Sequence, residues 1–443
     1  MAATDMPAAV TSPTRTVAVQ ESAPFDYDVL ILDAASRQSL ASARSLGRAG
    51  LRVALAECFA ECDPSLPVLG FRSRYSARNV VLPSFADNAA EFAAGVMEFI
   101  RSHRTRVVLP ASDGAIAALM PRRDELASLG TLVALPANTA LEIANDKDAT
   151  LAIAAGLGIA CPKTMRIDRI EDLAGMLAQF AFPFVLKPTT SWAAESCCRL
   201  QGGEVIDEDE AVSRTETFLG AGVGVLAQEW AGGSREGVTL FMIDGDPVAA
   251  FAHLEHRTSP PLGGASVLRE SVPMPDDIYD ASVRLVRALD LQGLCEVEFR
   301  RDAAGRPLLM EINARLAGPI EIAMQSGVDF PLMVWQWATG QPVDRSQSYA
   351  TGLRMRWLRG DMRWLRDNYR RAGRPDSMSR TRALWTFVTE FARTPHYDCL
   401  DRHDLGPALA ELRTTAGSLR HRWRAPQPPS PDLSRKGSLH VGL

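Results

Sequence analysis

The residues best suited to chemistry lie in two runs, Leu294-Cys-Glu-Val-Glu-Phe-Arg300 and Leu308-Leu-Met-Glu-Ile-Asn-Ala-Arg315, on either side of the turn Asp302-Ala-Ala-Gly305. Side chains alternate faces along a strand. Glu296 and Glu298 therefore share one face of the first run, and Glu311, Asn313 and Arg315 share one face of the second. A hairpin closing around residues 303–306 sets Glu298 opposite Glu311. Hard oxygen ligands, two of them anionic, then converge with an arginine one step beyond. That set suits Mg²⁺ bridging the phosphates of a nucleotide. Val297, Phe299 and Ile312 supply a matching apolar face, which argues against an exposed hairpin with a wet polar side. Glu298 is the preferred ligand on the first strand, with Glu296 facing the same way.

The cations narrow the reading. Of 48 basic residues, only Lys147, Lys163, Lys187 and Lys436 are lysine. A lysine kept in an arginine background points to a need for a compact ammonium in place of a planar fork. Lys187 ends the short strand Phe184-Val-Leu-Lys-Pro188. Lys147 follows Asn145-Asp146 at the start of a helical run, 148–155, that stops at Gly156-Leu-Gly158 and Cys161-Pro162. Lys163 and Lys436 read as chance retentions.

The elements that must position these groups can be traced outward. A strand at 28–33, a helix at 39–50 and a strand at 51–56 make a βαβ opening. It carries no G-x-G-x-x-G, so no dinucleotide site is assigned. A helix at 92–103 and a strand at 105–110 follow. Asp113-Gly114 lies just past that strand, where open α/β sheets place ligands. A strand at 132–135 closes the unit. Thr139-x-x-Glu142 reads as a capping box. A helix spans 170–180, a strand 223–230 and a loop 232–237. A hairpin pairs 238–243 with 248–253 around Asp244-Gly245. A Pro/Gly-rich loop at 259–266, a strand at 267–272 and a helix at 278–289 lead into the acidic hairpin. The stretch 353–374 is dense in arginine. Leu358, Met362, Leu365 and Tyr369 step at helical spacing beside Arg359, Arg363, Arg366 and Arg370. This reads as an amphipathic helix with a basic face packed on the core, with a membrane surface or an acidic partner as the alternative.

Bulk properties set the limits. The 443 residues, 46% hydrophobic and 23% charged, fit a globular chain of about three domains at ~150 residues each. A net charge of -5 weighs against nucleic acid as a partner. No apolar run reaches the ~18 residues that span a bilayer. Residues 1–24 lack an apolar h-region and read as a disordered tail; 426–443 reads as another. Seven cysteines, odd in number and scattered, fit a reduced, cytoplasmic setting.

With these motifs in place, residues 28–345 resemble the ATP-grasp superfamily, in its carbamoyl-phosphate-synthase-like branch of carboxylate–amine ligases. The run Ala250-Phe-Ala-His253, Arg257 and Pro260-Pro-Leu-Gly-Gly-Ala-Ser266 is similar to ATP-grasp proteins of bacterial biosynthetic clusters. So are Leu353-Arg-Met-Arg-Trp357 and the Asp-rich segment Tyr397-Asp-Cys-Leu-Asp-Arg-His-Asp404. The resemblance implies an α/β fold with an α+β lid. Its expected parts are a tail at 1–25, an open parallel-sheet domain at 26–138, an ATP-grasp domain at 139–345 with its lid at about 163–230, a mainly helical basic extension at 346–425, and a tail at 426–443.

The resemblance also implies roles. Glu298, Glu311 and Asn313 match Mg²⁺ ligands. Arg315 matches the arginine facing the γ-phosphate and the acyl phosphate, Lys187 the lid lysine, and Lys147 the lysine of the opposite wall. Gln228, Glu229, Trp230 and Ala231 match the segment whose backbone reads adenine. Glu236 lies where a carboxylate reaches the ribose, and Arg257 matches an arginine at the substrate end. Two departures stand out. The loop 189–198 has no glycine to cradle phosphate, although Thr189, Thr190 and Ser191 offer hydroxyls. Asn-Ala-Arg also replaces the family's Asn-Pro-Arg.

The implied cofactors are ATP with two Mg²⁺ ions, or Mn²⁺ in their place. The implied activity is ADP-forming carboxylate–amine ligation through an acyl phosphate, in small-molecule or natural-product biosynthesis. A bicarbonate-dependent enzyme forming carboxyphosphate or carbamate, and a non-catalytic ATP-binding regulator, are the alternatives. Expected partners are small-molecule carboxylates and amines, with no nucleic acid and no transmembrane segment. A homodimer and a peripheral membrane contact through 353–374 are secondary expectations.

Overall fold

The computed structural model describes residues 25–261, 263–345, 348–370, 374 and 377–422. The expected tails lie outside these residues, save Phe25, as do parts of the 259–266 and 353–374 stretches.

The chain opens as β1 (Tyr27–Ile31), α1 (Arg37–Arg48), β2 (Val53–Glu57), β3 (Ser76–Val81), α2 (Ala89–Ser102), β4 (Thr105–Leu109), α3 (Asp113–Leu119), α4 (Arg123–Ser128) and β5 (Leu132–Val133). The five strands form a parallel sheet in the order β3-β2-β1-β4-β5. Helices cover both faces of such a sheet, which is why β1, β2 and β4 read as nearly continuous apolar runs. β3 lies at the edge and is mostly exposed, so it left no hydrophobic signal in the sequence. The strand order reverses between β1 and β4, which opens a crevice at their carboxyl ends. Asp33 stitches that crevice. It sits at φ 57, and its carboxylate accepts from the Ala111 N–H and the Ser112 hydroxyl, both at 3.0 Å.

A second group follows: α5 (Asn138–Asn145), α6 (Lys147–Gly156), β6 (Thr164–Ile167), α7 (Leu173–Leu177), β7 (Phe184–Pro188), β8 (Trp192–Ala193), β9 (Cys198–Arg199), β10 (Gly203–Val205), α8 (Glu208–Gly220) and β11 (Val225–Glu229). Strands β10-β7-β11-β6 form a separate antiparallel sheet with its own apolar core. The capping box expected at Thr139 does not form, because Thr139 lies inside α5, whose cap Ala137 has no side-chain bond. The cap acts one helix later, where Asp146 accepts from the Asp148 and Ala149 N–H groups and starts α6 at Lys147. The helix expected over 170–180 shortens to a 3₁₀ turn and α7.

The remaining elements are β12 (Arg235–Ile243), β13 (Asp246–Ser259), β14 (Ala265–Ser271), α9 (Asp276–Ala288), β15 (Gly293–Arg301), β16 (Pro307–Asn313), α10 (Ile320–Ser326), α11 (Phe330–Ala338), β17 (Arg354–Arg356), α12 (Leu358–Arg370), α13 (Arg380–Arg393), β18 (His396–Tyr397) and α14 (Leu405–Arg422). The strands form one sheet in the order β16-β15-β12-β13-β14-β17-β18. One core runs from β1 and β2 through α10 and α11 to β12 and β13, so the parallel sheet and the large sheet share their interior. A second core lies between the large sheet and helices α5, α6 and α9.

The arginine-dense stretch departs from expectation. It divides into β17 and α12. The buried stripe of α12 is Asp361, Trp364 and Asn368, one step around from the apolar stripe expected at 358, 362, 365 and 369. The physical reason is ion pairing. Asp361 is fully buried between Arg257 (2.8 Å) and Arg356 (2.6 Å). The Asp-rich segment is used the same way. Asp398 takes Arg37 and Arg269, and Asp404 takes Arg44 (Nε–Oδ2 2.9 Å). The Arg44 guanidinium also donates to the carbonyls of Asp398, Cys399 and Asp404. Asp404 further accepts from the Ser73 hydroxyl (2.7 Å) and the Arg74 N–H (2.9 Å).

Breaking one side of a buried pair strands the other charge, at a cost of about 3–5 kcal/mol. Asp404→Ala is expected to destabilise the protein by that amount in urea unfolding, and Arg44→Leu with Asp404→Leu to recover part of it. A midpoint unchanged by Asp404→Ala would show that the clamp carries no stability.

Candidate active site

The three sheets meet around a cleft of about 680 Å³. Its walls come from the carboxyl ends of β1, β2 and β4, from the small antiparallel sheet, and from β12, β15 and β16 of the large sheet. The hairpin pairs Glu298 with Glu311 and Glu296 with Asn313. That register is not set by the turn alone. Near the turn Arg301 faces Pro307 and Phe299 faces Leu309; carried on, that phase would set Glu298 against Met310. A bulge between Glu298 and Phe299 adds one residue on β16 and brings Glu311 opposite Glu298. Met310, Glu298, Glu311, Asn313 and Arg315 all line the cleft.

The electrostatics are those of like charges held together by opposite ones. Burial and the neighbouring Glu311 push the Glu298 carboxyl up to about 7, against the pull of Arg235. Burial also raises Glu311, but Lys147, Lys187, Arg235 and Arg315 outweigh it and hold that carboxyl low. Glu296 is raised well above the usual range by burial and by Glu298 and Glu255. Its Oε1 is buried without a hydrogen bond. Glu298 is held by Arg235 (Nη2–Oε2 2.8 Å) and by the Asn313 amide (3.0 Å). Arg315 pairs with Asp113 (Nε–Oδ1 2.5 Å), which drops the Asp113 carboxyl to about 2 against its burial.

Lys147 enters on the first turn of α6. Its ammonium donates to the Ser191 hydroxyl (2.8 Å) and lies 3.9 Å from Glu311. Lys187 enters from β7. The loop 189–198 folds as the β8–β9 hairpin and rests on the parallel sheet. Trp192 packs edge-on against Phe85 (5.1 Å), and Arg199 pairs with Glu61 across the cleft (2.7 Å). The close approach expected of a glycine in that loop occurs just beyond it. A Cβ on Gly202 would lie 2.7 Å from Lys187 Cγ. Gln228, Glu229, Trp230 and Ala231 line the cleft as the chain leaves β11 for β12. Gln228 is buried, with its Oε1 unpartnered. The Glu229 N–H already donates to the Lys163 carbonyl (2.9 Å), and the Ala231 carbonyl accepts from Arg300.

Two expected residues fall elsewhere. Glu236 does not line the cleft. Faces alternate along β12, so Arg235 points in and Glu236 turns out to Arg301 (2.8 and 3.0 Å). Arg257 is buried against Asp361, 3.8 Å from Glu390 and stacked on Trp364 (4.3 Å to the ring). It joins the C-terminal helices to the sheet and does not line the cleft. Sequence reasoning missed Arg235, which lay in an apparent loop; the extra strand residues 235–237 carry the alternation that could have revealed it. It also missed the wall from the C-terminal extension, where Trp357 and Arg363 reach the cleft.

The donor set fits a hard cation. It is two carboxylates and an amide, all oxygen. Among the described residues no group of three His, Cys, Asp or Glu side chains could hold an ion alone. Such a partial set leaves coordination positions for phosphate oxygens and water, as Mg²⁺ bound with a nucleotide requires.

Lys187 offers a test of this field. Burial, reinforced by Lys147 and Arg235 and opposed by Glu311 and Glu298, pushes its ammonium down to about 8. A lysine with a lowered folded pKa binds fewer protons when folded than when unfolded, between the two values. Stability then rises with pH from about 8 toward the ordinary lysine range. In nucleotide-free protein, the parent is expected to gain stability relative to Lys187→Met as pH rises through that window, read by urea unfolding. Parallel curves for the two proteins would overturn the assignment.

Known proteins place this arrangement. Residues 264–360 match the family described as ATP-grasp in the biosynthetic pathway with Ter operon. The D-alanine–D-alanine ligase of Methylococcus capsulatus (strain ATCC 33009 / NCIMB 11132 / Bath) is 24% identical over 198 residues, 41% of this chain; the match spans 60% of that ligase. The L-amino acid ligase from Bacillus licheniformis superposes with a TM-score of 0.54 at 18% identity, over 73% of this chain and 77% of that one. Biotin carboxylase from Campylobacter jejuni, a βγ-ATP complex, superposes at 0.57 and 13% identity, over 74% of each chain. The N5-carboxyaminoimidazole ribonucleotide synthetase from Thermus thermophilus gives 0.53 at 17%, over 74% and 81%. At these identities the superpositions speak for the fold. They show that the chain has the ATP-grasp fold, and the family match lies on residues 264–360, which include the hairpin.

Proposed function

We propose that the protein is an ATP-dependent carboxylate–amine ligase that forms an acyl phosphate and releases ADP, in small-molecule biosynthesis. The observation that carries this reading is the meeting of Glu298, Glu311 and Asn313 with Lys147, Lys187, Arg235 and Arg315 in one cleft, beside the crevice of an open α/β sheet.

A carboxylate and an amine do not condense in water, because the oxygen of a carboxylate leaves poorly. Phosphorylation of the carboxylate supplies a leaving group, and the amine then displaces phosphate. Negative charge builds on the transferring phosphoryl group, so placed cations carry most of the catalysis. In this reading Glu298, Glu311 and Asn313 hold Mg²⁺, which neutralises phosphate charge when bound. Lys147 and Lys187 reach the phosphates from opposite walls. Arg315 lies next along β16 from the metal ligands, held in place by Asp113, and faces the transferring group. The segment 228–231 lines the purine end. Arg235, already on Glu298, keeps that carboxylate oriented. The loop 189–198, seated on Phe85 and Glu61, keeps water from the acyl phosphate. The crevice between β1 and β4 receives the remaining substrate.

The test is release of ADP and phosphate with a panel of amino-acid and hydroxy-acid carboxylates and amines. Turnover is expected to need both a carboxylate and an amine, and Glu311→Ala to reduce it by at least about 10³-fold. Turnover that needs bicarbonate instead would indicate a carboxyphosphate-forming enzyme. ATP binding without turnover across the panel would indicate a nucleotide-binding regulator.

A further inference from the structure

The large apolar side chains of the surface are unevenly placed. Leu384, Trp385, Val388 and Phe391 on α13, Leu400 after β18, and Leu405, Leu409 and Leu412 on α14 are each about half exposed or more, Trp385 by 69%. Outside this region only Val81 is as exposed among the described large apolar residues. On α13 the set is a continuous face. At 100° per residue, Phe391, Leu384, Val388, Thr381, Ala392 and Trp385 fall within an arc of about 120° that contains no charge.

The charges around this face have one sign outward and the other inward. Among residues 377–415, Arg380, Arg382, Arg393, Arg402 and Arg413 are exposed. The acids Glu390, Asp398, Asp404 and Glu411 are buried. Glu390 accepts from Thr394 (2.6 Å) and lies 3.4 Å from Arg354; Glu411 accepts from the Trp357 indole (2.8 Å). Asp401 pairs with Arg48. The acids thus pin the extension to the body, and its outer surface is left basic. The stretch 416–443 adds Arg420, Arg422, Arg424, Arg435 and Lys436 against Asp432 alone, in a chain whose net charge is -5.

We propose that the outward face of α13 docks on an anionic lipid surface. An apolar stripe of Trp, Phe, Leu and Val flanked by arginine is the pattern of a helix lying in the headgroup layer. Anionic lipid supplies the charge that the exposed arginines lack, while the hydrocarbon boundary takes Trp385, Phe391 and their neighbours. A second copy of the chain fits less well. Pairing α13 with itself, parallel or antiparallel, sets Arg382 and Arg393 against each other or against themselves. No described helix is long and apolar enough to cross a membrane, so the contact is peripheral. The sequence placed such a contact on 353–374. The structure moves it, because the stripe of α12 is buried and Arg363 lines the cleft.

The experiment is co-sedimentation of the full chain with phosphatidylcholine vesicles, with and without phosphatidylglycerol. Partition into the phosphatidylglycerol vesicles is expected to exceed that into pure phosphatidylcholine by at least about 10-fold and to fall with added salt. Trp385→Ser with Val388→Ser, and separately Arg382→Glu with Arg393→Glu, are each expected to cut it by about 10-fold or more, with Tm and ATP turnover unchanged. These side chains are outside the cleft, so a failure here leaves the ligase reading untouched. Absence of partition, or equal partition by both double variants, would overturn the proposal. So would a dimer in light scattering that Trp385→Ser dissociates.

Discussion

The carboxylates Glu298 and Glu311 face each other across one strand pair, partly buried in the cleft. Two partly buried like charges at that spacing repel unless cations surround them. Lys147 from α6, Lys187 from the small antiparallel sheet, Arg235 from β12 and Arg315 beyond β16 supply that compensation. Each comes from a different stretch of chain. The site therefore requires the small sheet, the large sheet and the helix that begins at Lys147 to meet at one point. Asp113, which begins α3 past β4 of the parallel sheet, completes the set by holding Arg315.

The C-terminal extension obeys the same rule in the opposite sense. Arg44, Arg269 and Arg356 are among the largest fully buried side chains, and each has an aspartate from the extension as its partner. Buried cations are tolerated only when paired. The pairs tie α1 of the parallel sheet, β14 of the large sheet and the last helices into one body, and they bring Trp357 and Arg363 to the cleft rim. Because the acids are spent inward, the arginines outward go uncompensated. One choice of pairing thus sets both the closure of the cleft and the charge of the outer face.

Much of the fold was legible because its signals are local. The apolar runs at 28–33, 51–56 and 105–110 appear as β1, β2 and β4, and the turn at Asp244-Gly245 joins β12 to β13. β3 was not legible, since an exposed edge strand has no apolar period. The capping box read at Thr139 did not form, because the spacing of Thr and Glu matched by chance inside α5; the separate helix start read at Lys147 is that of α6, capped by Asp146. In the site, the positions of Glu298, Glu311, Asn313, Arg315, Lys147 and Lys187 along the cleft could be read from strand period and from the scarcity of lysine. Arg235 could not, because its strand begins earlier than the hydrophobic pattern.

The sequence by itself determined which side chains share a strand face, since period two is a property of the local backbone. It placed Glu298 across from Glu311 only by assuming a turn phase; the bulge at Glu298/Phe299 is what makes that pairing real. The tertiary structure alone decided that Arg257 serves Asp361, that Glu236 serves Arg301, and that Asp398 serves Arg269. Those outcomes rest on ion pairs between residues far apart in the chain. Their partners carry no periodic signal, and a buried charge left without its partner is costly.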